Sequence, residues 1–120
     1  MQLDELRQFC LSKPGTSEGL PFGPETLVFK VMGKMFAVSS LDEPEPRVNL
    51  KCDPQKAIEY REKYPDAIIP GWHMNKVHWN TIYLDRGLEL RLIEHLINHS
   101  YELVVSKLTK KVKKELEELK

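Results

Sequence analysis

Two cysteines in a chain of 120 residues, Cys10 and Cys52, offer no basis for a disulfide framework, and their spacing matches no zinc or thiol–disulfide motif. Both are expected to remain reduced, buried and inert. Net charge is missing as well: eighteen Lys and Arg balance eighteen Asp and Glu, so no long-range field gathers a polyanion from solution. That balance weighs against strong nucleic-acid binding. No apolar run approaches the roughly 20 residues needed to cross a bilayer, which excludes a helical membrane protein. The start, Met1-Gln2-Leu3-Asp4-Glu5-Leu6-Arg7, carries acids early and lacks the basic and apolar segments of a signal peptide, so a cytosolic location is expected. There is no G-x-S-x-G, H-E-x-x-H, P-loop or dinucleotide fingerprint, no internal repeat and no low-complexity linker. A single domain over residues 1–120, with one core, is the expectation.

What is present is a clear succession of elements. Leu3, Leu6, Phe9 and Cys10 recur at helical spacing and predict a short amphipathic helix that stops before Lys13-Pro14-Gly15. An irregular passage through Gly23-Pro24 follows. Leu27 to Val31 and Lys34 to Val38 flank Met32-Gly33, a β-hairpin in which Gly33 supplies the positive φ of a tight turn. Past the acidic turn Asp42-Glu43-Pro44-Glu45-Pro46, the segment Arg47-Val48-Asn49-Leu50-Lys51 alternates strictly. Val48 and Leu50 belong to the core, and Arg47, Asn49 and Lys51 to solvent or ligand. Asp53 before Pro54 caps a helix ending near Tyr64-Pro65. Loop is expected until Trp79, then a strand over Thr81 to Leu84. The apolar stripe Leu88, Leu92, Ile93, Leu96, Ile97, Tyr101, Val104, Val105 and Leu108 predicts a long helix covering the sheet. Thr109 caps a last, lysine-rich helix to Leu119 with a thin apolar seam. The order α, β, β, β, α, β, α, α predicts an α+β fold, an antiparallel sheet packed against helices.

Several separated blocks, Lys13-Pro14-Gly15, Pro21-Phe22-Gly23, Gly33-Lys34-Met35-Phe36-Ala37, Asn75-Lys76-Val77-His78-Trp79-Asn80-Thr81 and Ser100-Tyr101, stand in an order by which the chain resembles the MmcQ/YjbR family from end to end. The resemblance implies a CyaY-like α+β fold, also described as a double wing, and a DNA-binding role. Function resides in a site, however, and has to be argued separately. Frataxin-type proteins, which share the CyaY-like fold, bind iron on a run of acids along the first helix. Only Asp4 and Glu5 stand there in this chain.

The segment from Pro70 to Thr81 holds both tryptophans, Trp72 and Trp79, two of the four histidines, His73 and His78, and Lys76. Such a loop makes either a stacking surface or a polar corner of the core. For nucleic acid, Lys30, Arg47 and Lys51 on a sheet face and Lys76 beside them would hold phosphates, while Trp72, His73 and His78 would meet bases or grooves. The competing reading packs Trp79 in the core, sets His78 against neighbouring backbone and leaves Lys51 solvated. His95 and His99 lie one helical turn apart, but two ligands do not make a metal site, and a solvated face is expected for them. A general base at His73 or His78 beside Asp66 or Asp85 has no motif behind it. The expectation is a monomeric, non-catalytic, cofactor-free protein that binds DNA weakly through phosphates. The alternative is a protein-interaction module, with the lysines from Lys107 to Lys114 steering an acidic partner.

Overall fold

The wide apolar stripe in the last third of the chain is the surface against which the other elements pack. It forms helix α3, Leu90–Ser106, and buries Ile93, Leu96, Ile97, Ser100 and Val104. The computed structural model describes residues 1–120. Three further helices, α1 (Leu3–Leu11), α2 (Pro54–Lys63) and α4 (Lys110–Glu118), and six strands complete it: β1 (Thr16–Gly19), β2 (Thr26–Val31), β3 (Lys34–Ser40), β4 (Arg47–Lys51), β5 (Ile68–Pro70) and β6 (Trp79–Tyr83). The strands form one antiparallel sheet in the order β1-β2-β3-β4-β6-β5.

Alternation decides which face of this sheet is core. Phe29 and Val31 of β2, Val48 and Leu50 of β4 and Ile82 of β6 join Leu6 and Cys10 of α1, the α3 stripe and Leu116 of α4 in one buried cluster. Each fully buried Leu, Ile or Phe contributes about 1.5–3 kcal/mol. On the same face α2 meets β6, where buried Asn80 donates to the Ala57 carbonyl and accepts from Arg61 at 2.6 Å. All four helices therefore lie on one side, and the other side of the sheet has no helical cover.

Local chemistry accounts for the boundaries. Asp53 accepts the Lys56 amide at 3.2 Å, with Pro54 in the first turn of α2, and Thr109 accepts the Val112 amide at 3.3 Å to start α4. The hairpin turn has positive φ at both Met32 (48°) and Gly33 (84°), the type I′ geometry that fits strand twist. Burial pushes the Cys10 thiol up to about 12 and the Cys52 thiol up to about 11, so both buried, unpaired cysteines are poor nucleophiles.

The predicted order holds, with two short edge strands added to it. β1 lies inside the passage expected to be irregular: Thr-Ser-Glu-Gly has no apolar alternation, and it pairs because β2 offers an open edge from Val28 to Val31. β5 has three residues, too few to show a period, and is fixed by pairing with β6. β6 begins at Trp79, two residues before the expected start.

Ser100 occupies the place where the β3–β4 ladder stops. Register between β2 and β3 shifts at Phe29 and Lys30, a β-bulge that leaves Phe36 without a cross-strand partner. Pairing of β3 with β4 is confined to Ala37–Leu50 and Val38–Asn49. Next to it, the fully buried Ser100 hydroxyl donates to the Phe36 carbonyl at 2.5 Å and accepts the Lys51 amide at 2.9 Å. Ser100→Ala orphans both groups and is expected to cost about 2–6 kcal/mol, from about 1–3 for each. Urea denaturation of the variant measures the loss.

His99, one residue earlier, is half-buried, contrary to the solvated face expected for it. Its Nε2 accepts the Asp53 amide at 3.1 Å, which only the neutral ring can do, and burial together with nearby Lys56 holds its pKa below the ordinary 6.5. The unfolded chain thus binds this proton more tightly. Stability should be complete above about pH 6.5 and fall as pH drops from there through the depressed folded value. Denaturation midpoints at about pH 7.5 and about pH 5.5 should differ less in His99→Gln, whose amide oxygen can still accept the Asp53 N–H.

Candidate functional site

The uncovered face of the sheet carries the outward residues of each strand in rows set by the registers. Ser40 lies beside Thr26, and Arg47 pairs across with Tyr83. Val38 lies beside Asn49, and Asn49 beside Thr81. At the far end Lys30 sits next to Met35 and Lys51 next to Trp79. Neither Lys30 nor Lys51 forms an ion pair.

The loop from Gly71 to His78 folds back over this face and is pinned there. Thr81 Oγ1 donates to Asn49 Oδ1 at 2.5 Å and accepts the Trp72 amide at 2.9 Å, while Asn49 Nδ2 donates to the Trp72 carbonyl at 3.0 Å. This closed triangle fixes the backbone of Trp72 and leaves its indole 52 % exposed. Gly71 lets the loop pass over β6, because a Cβ there would sit 2.8 Å from Trp79 Cβ and 2.9 Å from the Trp79 carbonyl oxygen. Arg61 reaches across from α2 to the carbonyls of Lys76 and Trp79. Asn75 Oδ1 accepts the Val77 and His78 amides, and Lys76 Nζ donates to the Gly71 carbonyl at 3.3 Å.

A second loop, between β1 and β2, raises Phe22, 66 % exposed. Between Phe22 and Trp72 lies a groove of about 510 Å³ whose floor is Thr26, Met35, Val38, Ser40 and Asn49, with Arg47, Glu25, Asp42, Glu43, His73 and Met74 completing its lining. That volume is in the range of small-ligand sites. The Arg47 guanidinium is spoken for: it lies 3.0 Å from a Glu43 carboxylate oxygen and 5.8 Å from the centre of the Trp72 ring. The Ser40 hydroxyl, donating at 2.8 Å, holds the Asp42 carboxyl below the usual carboxylate range, so Asp42 is ionised at neutral pH.

The seven residues singled out in the sequence are thus divided. Trp72 and His73 line the groove, their rings 5.0 Å apart and steeply inclined. Arg47 lines it as well, already paired with an acid. Lys30 and Lys51 stand at the other end of the same face, Lys76 is turned to the backbone of its own loop, and the exposed His78 contributes its carbonyl to the Cys52 amide at 2.8 Å. Trp79 is packed. Phe22, Glu25, Asp42, Glu43 and Asn49 were not among the seven. Phe22, a lone aromatic between Pro21 and Gly23, carried the signal of a displayed side chain, and Asn49 that of an outward strand position. The acids carried none, because acids in turns and loops are ordinarily solvated. The lysines of α4 lie in the helical layer, on the opposite side of the sheet.

The YjbR family model matches residues 11–103. The protein YbdF of Escherichia coli O157:H7 is 43% identical over 108 residues, 90% of this chain and 88% of that protein. YjbR of Escherichia coli K12 is 34% identical over 119 residues, 99% of this chain and all of that protein, and both relatives are uncharacterised. Among solved structures, a Deinococcus radiodurans protein with a DUF419 domain superimposes with a TM-score of 0.89 at 41% identity, covering 96% of this chain and 87% of its own. A Pseudomonas syringae protein follows at 0.75 and 26%, covering 86% and 98%. With the fold and nearly its whole length shared with these proteins, the chain belongs to the YjbR family.

Proposed function

We propose that this chain is a monomeric, non-catalytic DNA-binding protein of the cytosol that receives single-stranded DNA on the helix-free face of its sheet. The observation that carries the reading is the pair Phe22 and Trp72. Among Phe, Tyr and Trp they are the two exposed side chains, and both rise from loops beside the same face. Stacking of a base on an aromatic ring contributes about 1–3 kcal/mol and suits every base. Lys30 and Lys51 supply phosphate contacts at the other end of the face.

A single strand fits better than a duplex. This side of the sheet presents no helix to enter a major groove, and the acids beside Arg47 would repel a second backbone. Few cations face the site, so binding is weak and sensitive to salt. Both sheet edges are short and bounded by Pro or Gly, at Gly15, Gly19, Pro21 and Pro70, which discourages pairing with a second copy. One observation favours a protein partner instead: three carboxylates on the groove would attract a basic segment.

Replacing Lys30 and Lys51 together by Gln should lower the salt dependence of single-strand binding by about 1.4 in log–log slope, about 0.7 for each phosphate contact. Fluorescence anisotropy of a labelled oligonucleotide across a salt series reads this directly. A folded double variant with unchanged affinity and slope would remove these lysines from the site.

A further inference from the structure

We infer that the groove between Phe22 and Trp72 is a base-reading pocket that selects a nucleobase carrying an exocyclic amino group, cytosine above thymine. The inference rests on the single-strand reading and adds a base preference to it.

Charge comes first. Glu25, Asp42 and Glu43 line the groove against one guanidinium, and that guanidinium is paired with Glu43. A phosphate is therefore repelled from this end of the face and belongs with Lys30 and Lys51. What enters must be flat and able to donate hydrogen bonds.

Hydrogen-bonding capacity narrows the choice. The amide of Asn49 is consumed at both atoms, by the Trp72 carbonyl and by Thr81. It shapes the pocket without reading the ligand. Ser40 gives its proton to Asp42. The carboxylates are acceptors only, so the free polar capacity of the groove is dominated by acceptors. Cytosine offers an amino group to a carboxylate, whereas thymine at the same position turns a carbonyl oxygen toward it. Apolar Met35 and Val38 on the floor and the rings of Phe22 and Trp72 at the sides accommodate the faces of either pyrimidine. Discrimination then falls to the acids.

The test is anisotropy with labelled oligo-dC and oligo-dT of equal length at low salt, on the intact chain and on Asp42→Asn and Glu25→Gln. These two acids are solvent-exposed, and circular dichroism checks that the variants fold. Oligo-dC is expected to bind about tenfold more tightly than oligo-dT, the discrimination of one good base contact. Each variant should bring the two severalfold closer while leaving the salt slope unchanged. Equal affinity of the intact chain for both oligomers, or an undiminished preference in both variants, overturns the pocket while the single-strand reading stands. Binding of neither oligomer, with uptake of an oligo-lysine peptide, overturns both in favour of a basic protein partner.

Discussion

The hydroxyl of Ser100 gives its proton to Phe36 and takes that of Lys51, standing in for the hydrogen bonds that β3 and β4 no longer exchange beyond their short ladder. It joins the longest helix to the middle of the sheet by the only means available inside a core, full pairing of buried polar groups. Around it Ile93, Leu96, Ile97 and Val104 close over Phe29, Phe36 and Leu50. The consequence is one-sided. With α3 seated there and α1, α2 and α4 beside it, every helix is used on one face, and the other face is left to side chains and loops.

That uncovered face is organised by polar contacts that the core does not supply. The triangle of Asn49, Thr81 and the Trp72 backbone holds one loop, and Arg61 ties the same loop to α2. At the outer corner Arg86 binds both carboxylate oxygens of Glu45 at 2.7 Å, donates to the Asp66 carbonyl and lies 3.7 Å from the centre of the Tyr83 ring. The face acquires an electrical direction: acids gather where the turn after β3 approaches Arg47, and free lysines stand at the far end. A ligand with a charged backbone and neutral, flat side groups is matched to that arrangement.

The long helix was legible because an apolar stripe at helical period has one solution against a sheet, and β4 because Val48 and Leu50 alternate with Arg47, Asn49 and Lys51 without a break. Pro54 and Gly33 mark their element ends through φ alone. β1 and β5 were not legible, since Thr16 to Gly19 and Ile68 to Pro70 become strands by pairing with an available edge rather than by any pattern of their own. The setting of His99 was not legible for a related reason: its place on the helix is peripheral, but α2 starts against it and supplies an amide donor. At the site, Trp72 and His73 were visible as scarce residues crowded into a loop. That Arg47 is neutralised by Glu43, and that Phe22 faces Trp72 across the sheet, depends on loops whose paths only tertiary contacts fix.

The helix-free face is where ligand is to be received. The most direct measurement is an NMR titration of isotope-labelled protein with a short single-stranded DNA at low and at moderate salt. Shifts confined to β4, to the loop from Gly71 to His78 and to the residues around Phe22, shrinking as salt rises, are the predicted result. Shifts on α3 and α4 with the sheet face silent, or no shifts at low salt, would contradict it.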